Sequence, residues 1–456
     1  MAGTTQRALQ KTYSKDQLAE RQTYRRAVEA VLWGMPAVNF DRMLRATIDN
    51  GGKPNQMMYW SRPVNSKNQT LTPNPDTIYL NPFFDTRNGP VVLEVPPAEA
   101  DAVIVGSIDN SWQNALEDVG PAGADKGNGG RYLITPPGYS DEAPDEYIML
   151  PSETYQGFVV LRSNFKSRSD ADIAAAVEYG KKVKIYPLGE KSDSTVYVDV
   201  YDKNFDATIP YDWRFFESLH RFLQIEPWLT RDKVMIDLLG SIGIEKGKPF
   251  AADQRTKELF DEAALEARAV IDLQYIALFV PPFNERQHWA VPASMDVVAG
   301  LQTDFADPNS YPVTKRAASY AMGYFSAKHL GSGQHYLMSF SDSAGNQLDG
   351  KNTYRLTVPP NAPVQQYWSA TAYDRETHAL IRGTSRASRA STIPELQRNA
   401  DGSVDVYFAA EAPAGKDCNF VPTDPQREFE VLFRFYGPGK PLFDKTWVLP
   451  DIQRVS

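Results

Sequence analysis

Two stretches of short β-prone runs flank a long helical one, and that order restricts the chain to an α+β fold built in parts. From about 57 to 165 come MMYW, TIYL, VVLEV, AVIVGSI, RYLIT, YIML and GFVVLRSNF, separated by turn residues. From about 335 onward come YRLTV, YWSATAYD, VDVYFAA and FEVLFRFY. Short runs at regular spacing predict sandwich or barrel domains. In the last run Phe429, Val431, Phe433 and Phe435 alternate with Glu430, Leu432, Arg434 and Tyr436, which predicts a strand with one face on a core. NADGSVDV predicts a hairpin turning at Asp401-Gly402. Helical spacing dominates from about 212 to 280 and returns over 170–180 and 313–330. An amphipathic helix is expected over 15–35, with Gly34 and Pro36 stopping it. The expected division is a helical segment 1–45, a β domain 46–205, a helical connector 206–332 and a second β domain 333–456.

Composition removes several function classes. The 456 residues carry a formal net charge of -9 and no run of four Lys/Arg, which argues against nucleic acid as a partner. No segment reaches the roughly 20 apolar residues of a membrane span. The single cysteine, Cys418, excludes an intrachain disulfide, a Cys-rich zinc site and a CxxC redox pair. The polar start of the chain lacks the apolar core of a secretion signal. A cytoplasmic setting is expected, or a periplasmic one if the chain is a trimmed mature form.

The stretch TLTPNPDTIYLNPFFDTRNGPVVLEVPP, residues 70–97, is the strongest site candidate. Pro73 and Pro75 fix φ and remove backbone donors, so Asn74 and Asp76 are held with little freedom. Asp76 with Tyr79 suits an acid/base pair, and Asn74 suits substrate binding. The structural alternative is a turn that Asp76 shapes through backbone N–H groups. The glycine-rich segment 120–130 is expected to lie over this turn, with Lys126 or Arg131 holding an anion. Trp60, Trp112, Trp289 and Trp368 are candidates for stacking on a ligand, and Trp112 is assigned to substrate binding. No metal site or cofactor is expected: His329 and His335 are six apart, and there is no HExxH. No GxSxG elbow occurs, and Ser332 and Ser369 are poor substitutes.

Several motifs stand in a familiar order. NPDTIYLNPFFDTRNGPVVLEVP with GADKGNGGRYLITPPGY resembles the bacterial DUF1254 family. LDGKNTYRLTVPPNAPVQQYWSATAYD, NADGSVDVYF and RFYGPGKPLFDKTWVLPDI resemble the DUF1214 domain, and SIGIEKGKPFAAD resembles the connector between the two. The resemblance implies β-rich sandwich or jelly-roll domains joined by helices. It also implies a periplasmic setting, since many members carry export signals. It transfers no catalytic residues. Asn419-Phe420 stands where many relatives have Asn-Trp, which keeps stacking and loses an indole donor. The expectation drawn from the residues is a hydrolase or lyase using acid/base chemistry on a small organic or carbohydrate-like molecule. The rival is a non-enzymatic, envelope-associated ligand-binding protein with an aromatic groove. A homo-oligomer is expected, and a third reading is an assembly protein whose helices over 212–280 make the oligomer interface.

Overall fold

A computed structural model describes residues 13–142, 144–323, 327–329 and 333–455. The protein is a mixed α+β chain with helices between and before two groups of sheets. Among the described residues no helix is long and apolar enough to cross a membrane.

The first helix, Lys15–Asp49, starts at a Ser14/Gln17 capping box and runs unbroken through Gly34 and Pro36. The expected stop at these residues is therefore overturned. A proline inside a helix costs about 3 kcal/mol. Here Val31, Leu32, Trp33, Phe40, Met43 and Leu44 are all buried. At about 1.5–3 kcal/mol for each large apolar side chain, their burial outweighs the proline. The helix packs in one core with Trp213–Ile225, Gln254–Ala277 and Val313–Met322. The helix expected over 313–330 ends at Met322, and residues 324–326 and 330–332, with Ser332, lie outside the described residues.

The first β group holds a seven-stranded sheet, in which Gln156–Ser163 lies between Ile78–Leu80 and Ile104–Asn110. It also holds a four-stranded sheet containing Val91–Val95 and Gly130–Thr135. Leu80, Ile108 and Leu161 from one sheet share a core with Leu93, Tyr132 and Ile134 from the other. The second β group pairs Phe429–Tyr436 with Gln334–Ser339 and Trp368–Asp374, and a separate sheet carries Tyr354–Val358 and Val404–Ala409. Val431, Phe433 and Phe435 meet Leu356, Val406 and Phe408 in its core.

Two sequence expectations change here. All eight residues of Phe429–Tyr436 are buried, so its polar face does not meet solvent. That face is closed by the first domain and the helices, as Leu432 in their shared core shows. The NADGSVDV turn does form, with Gly402 at φ +85 and Asn399 N–H bonded to the Ser403 carbonyl at 2.8 Å. It is not a hairpin, because Val404–Ala409 pairs with Tyr354–Val358 and Phe420–Pro422 instead.

Glu226, just past the helix Trp213–Ile225, ties that helix to the strand Gln156–Ser163. Its carboxylate accepts the N–H groups of Tyr155 at 2.7 Å and Gln156 at 2.9 Å. Burial pushes its pKa from 4.5 up to about 7, against these two bonds and with help from Asp85. The folded protein then holds this proton more tightly than the unfolded chain. The stability contributed is present below 4.5 and lost as pH rises through about 7. Denaturant titrations should show wild-type stability falling relative to Glu226→Gln across that window. Parallel curves would mean that Glu226 is charged throughout.

Candidate functional site

The Pro73–Pro75 turn is the seam between the two β groups. Asn74 donates its side-chain amide to the hydroxyls of Tyr367 at 3.0 Å and Tyr436 at 2.8 Å. Those two rings stack with centroids 4.3 Å apart. Tyr373 donates its hydroxyl to the Pro73 carbonyl at 2.6 Å, and Arg434 donates to the Thr72 carbonyl at 2.9 Å. Thr72 N–H donates to the His378 carbonyl at 2.7 Å. Thr72 itself sits at φ +39, a left-handed conformation that is costly for a β-branched residue. Bonds on both its N–H and its carbonyl hold it there.

Next to this seam lies a partly enclosed cavity of about 50 Å³, with Tyr79, Arg162, Tyr336 and Arg434 in its walls together with Trp60 and Met338. Strand register explains the pairing. Arg162 stands opposite Tyr79 in the first domain, with its guanidinium 5.5 Å from that ring's centre. Arg434 stands opposite Tyr336 in the second domain, with its guanidinium 5.6 Å from that ring's centre. Each domain thus supplies one cross-strand Arg–Tyr pair.

No carboxylate among the described residues lines the cavity. Among the described residues neither guanidinium forms an ion pair. Arg434 is bonded only to neutral oxygens: Thr371 Oγ1 at 3.0 Å, Tyr373 Oη at 2.6 Å and the Thr72 carbonyl. The Nε of Arg162 is buried without a partner. Burial pushes the hydroxyls of Tyr336 and Tyr373 above their usual pKa, so they remain neutral donors. Arginine does not deprotonate in proteins. The cavity therefore carries two uncompensated positive charges.

The expected site residues are divided by the structure. Tyr79 lines the cavity, and its hydroxyl accepts the Asn74 N–H at 2.9 Å. Asp76 does not line it. Its fully buried carboxylate turns to Arg168, with Oδ1 2.5 Å from Nη2 and 3.2 Å from Nε, while Oδ2 has no partner. The Asn74 side chain caps the Asp76 N–H at 3.0 Å, the behaviour of a well-made turn. Trp112 is core, packed 4.9 Å from both Trp33 and Phe222. Lys126 and Arg131 are exposed and outside the cavity lining, and Arg131 pairs with Glu94 at 3.5 Å. The 120–130 segment closes on its own domain, with Gly127 accepting the Ala98 N–H at 2.8 Å. Trp60 reaches the cavity, whereas Trp289 and Trp368 fill the C-terminal core.

His329 bonds to Glu117 at 3.0 Å, while burial and then Lys445 push His335 down to about 4. Among the described residues no group of three or more His, Cys, Asp or Glu could hold a metal ion. Arg162 and Arg434 were not anticipated as site residues. The available signal was a charge inside an apolar strand run, in GFVVLRSNF and in FEVLFRFY.

The model described as "Protein of unknown function (DUF1254)" matches residues 54–187, and that of "Protein of unknown function (DUF1214)" matches 333–440. The chain belongs to the two-domain DUF1254/DUF1214 family. Arg162 and Tyr79 are thus DUF1254 residues, and Arg434 and Tyr336 are DUF1214 residues. No curated protein matches the chain. The crystal structure of the VPA0106 protein from Vibrio parahaemolyticus is similar, with a TM-score of 0.57 at 20% identity, over 95% of this chain and 100% of that one. It shows a shared fold. A putative uncharacterized protein from Burkholderia cenocepacia aligns with a TM-score of 0.43 at 11% identity, over 96% of this chain and 95% of that one.

Removing Arg168 leaves the Asp76 carboxylate of the DUF1254 domain buried and unpaired. Arg168→Ala should cost about 1–3 kcal/mol in chemical denaturation. Asp76→Asn should cost less, because it removes the charge as well. The reverse order would point to a role for the carboxylate outside the ion pair.

Proposed function

We propose that this protein binds a small organic anion in the cavity between its DUF1254 and DUF1214 domains. One observation carries the reading: two guanidinium groups, Arg162 and Arg434, line one cavity with no carboxylate to neutralise them. An uncompensated buried charge costs several kcal/mol, which an anion would offset. A carboxylate or phosphate group suits the planar donor fork of arginine, and the neutral tyrosines supply further hydrogen bonds.

Size narrows the class. A water needs roughly 10–15 Å³ of such space. The 50 Å³ cavity has room for a few groups of that size, which fits a carboxylate or phosphate and not a sugar ring. Hydrolysis or elimination by Asp76 and Tyr79 has less support, because the Asp76 carboxylate is engaged by Arg168 away from the cavity. The same reading takes each β domain as a two-sheet sandwich, supported by the sharing of one core between its sheets.

The test is thermal unfolding and calorimetry with acetate, small dicarboxylates and inorganic phosphate. A ligand at about 100 times its Kd should add about 2.7 kcal/mol of stability. Arg162→Met should abolish that gain while leaving the ligand-free Tm equal or higher, since it removes an unpaired buried charge. A ligand-induced shift that survives in Arg162→Met, or the absence of any shift with these anions, would count against the proposal.

A further inference from the structure

A second cavity of about 550 Å³ opens where the helix Gln254–Ala277 meets the C-terminal domain. Its size lies within the roughly 300–1,000 Å³ of small-molecule sites. Tyr211, Tyr275, Gln347, Arg375 and His378 contribute to its walls.

Behind Tyr275 and His378 of its wall lies Glu430, which is 0% exposed. Its Oε2 accepts the Tyr275 hydroxyl at 2.6 Å, and its Oε1 lies 2.6 Å from His378 Nδ1. Burial, followed by the charge of Glu430, holds the Tyr275 pKa well above its ordinary value, so that hydroxyl is the donor. A carboxylate only accepts, so His378 Nδ1 carries a proton in this network. In the neutral ring Nε2 is then an acceptor, and among the described residues nothing bonds to it.

The position of His378 is held from both sides. Its φ is +54, its N–H donates to the Asp374 carbonyl at 2.8 Å, and its carbonyl accepts the Thr72 N–H. Non-glycine residues in this region often mark function. The cations around the cleft differ from those of the first cavity because they are paired. Arg375 meets Asp272 at 2.5 Å, Arg268 meets Glu376 at 3.3 Å, and Arg427 meets Asp374 and Glu376. Among the described residues, His378 Nε2 is left open in the wall, the exposed side chains of Gln426 and Glu428 are left open at the rim, and Gln347 Nε2 is unpartnered but buried. His378 Nε2 is the base in the wall, and among the described residues no unpaired cation stands beside it.

We infer that His378 is a general base in this cleft, positioned by Glu430, for hydrolysis of a small uncharged ester. Its Nε2 takes a proton from water as the water oxygen bonds to the acyl carbon. Glu430 stabilises the imidazolium that forms. The imidazolium then gives the same proton to the departing alkoxide, so acid and alcohol leave and the ring is neutral again. The inference does not depend on the anion cavity.

Nitrogen-15 spectra of histidine-labelled protein should show one ring with Nδ1 protonated and Nε2 bare. That signal should vanish in His378→Asn, where Asn tolerates the left-handed backbone. Glu430→Gln should move the proton off Nδ1. The wild-type protein should hydrolyse p-nitrophenyl acetate about tenfold or more faster than His378→Asn. Glu430→Gln, with its Tm retained, should also be slower. A protonated Nε2 in the wild type would overturn the inference, as would equal ester hydrolysis by folded His378→Asn or Glu430→Gln.

Discussion

Asn74 sets its side-chain amide between the hydroxyls of Tyr367 and Tyr436, and Tyr373 and Arg434 bond the backbone beside it. The two prolines make this grip possible. They leave carbonyls free to accept while removing N–H groups that would need partners in a buried seam. Each such bond contributes only about 1 kcal/mol net, but each buried group left unmatched costs about 1–3 kcal/mol. The two β groups are therefore held to one relative position by polar matching as well as by apolar packing. The first cavity lies along this seam, and Thr72 links it to the second: it lines the first and bonds to His378 of the second.

The polar face of Phe429–Tyr436 supplies both sites. Glu430 serves the cleft and Arg434 the enclosed cavity, four residues apart on one buried face. Their charges are handled differently. Glu430 is bonded by a phenol and an imidazole, and Arg375 lies close enough to feel its charge. Arg434 and Arg162 meet only neutral groups. Arg434 has a place in the fold through its bonds to Thr72, Thr371 and Tyr373, but the Nε of Arg162 makes no such bond, and an apolar side chain of similar volume packs as well at lower cost.

The elements themselves were largely legible in the sequence. The runs VVLEV, RYLIT and YRLTV form strands at Val91–Val95, Gly130–Thr135 and Tyr354–Val358, and DADIAAAVEYG forms a helix. Local pattern failed where distant contacts decide. Pro36 stays helical because its surroundings bury the helix, and the Asp401-Gly402 turn lacks a partner strand before it. The rigidity of the Asn74/Asp76 turn was read from its prolines, but the acceptor that Asp76 would become depended on Arg168, 92 residues away. Alternation in FEVLFRFY shows that two faces exist. It does not show that the second face is buried against a domain about 360 residues earlier, as the Asn74–Tyr436 separation of 362 indicates.

That separation also orders events during synthesis. The DUF1254 part leaves the ribosome well before Tyr367, Tyr373 and Arg434 exist, and domains generally fold as they emerge. Pro75 already has Arg168 of its own domain, but until then the Thr72 and Pro73 carbonyls can bond only to water or to a surrogate, and Thr72 has nothing to hold its left-handed backbone. The nascent N-terminal half is a scaffold with one wall open, and both cavities come into being together when the last long strand is laid down.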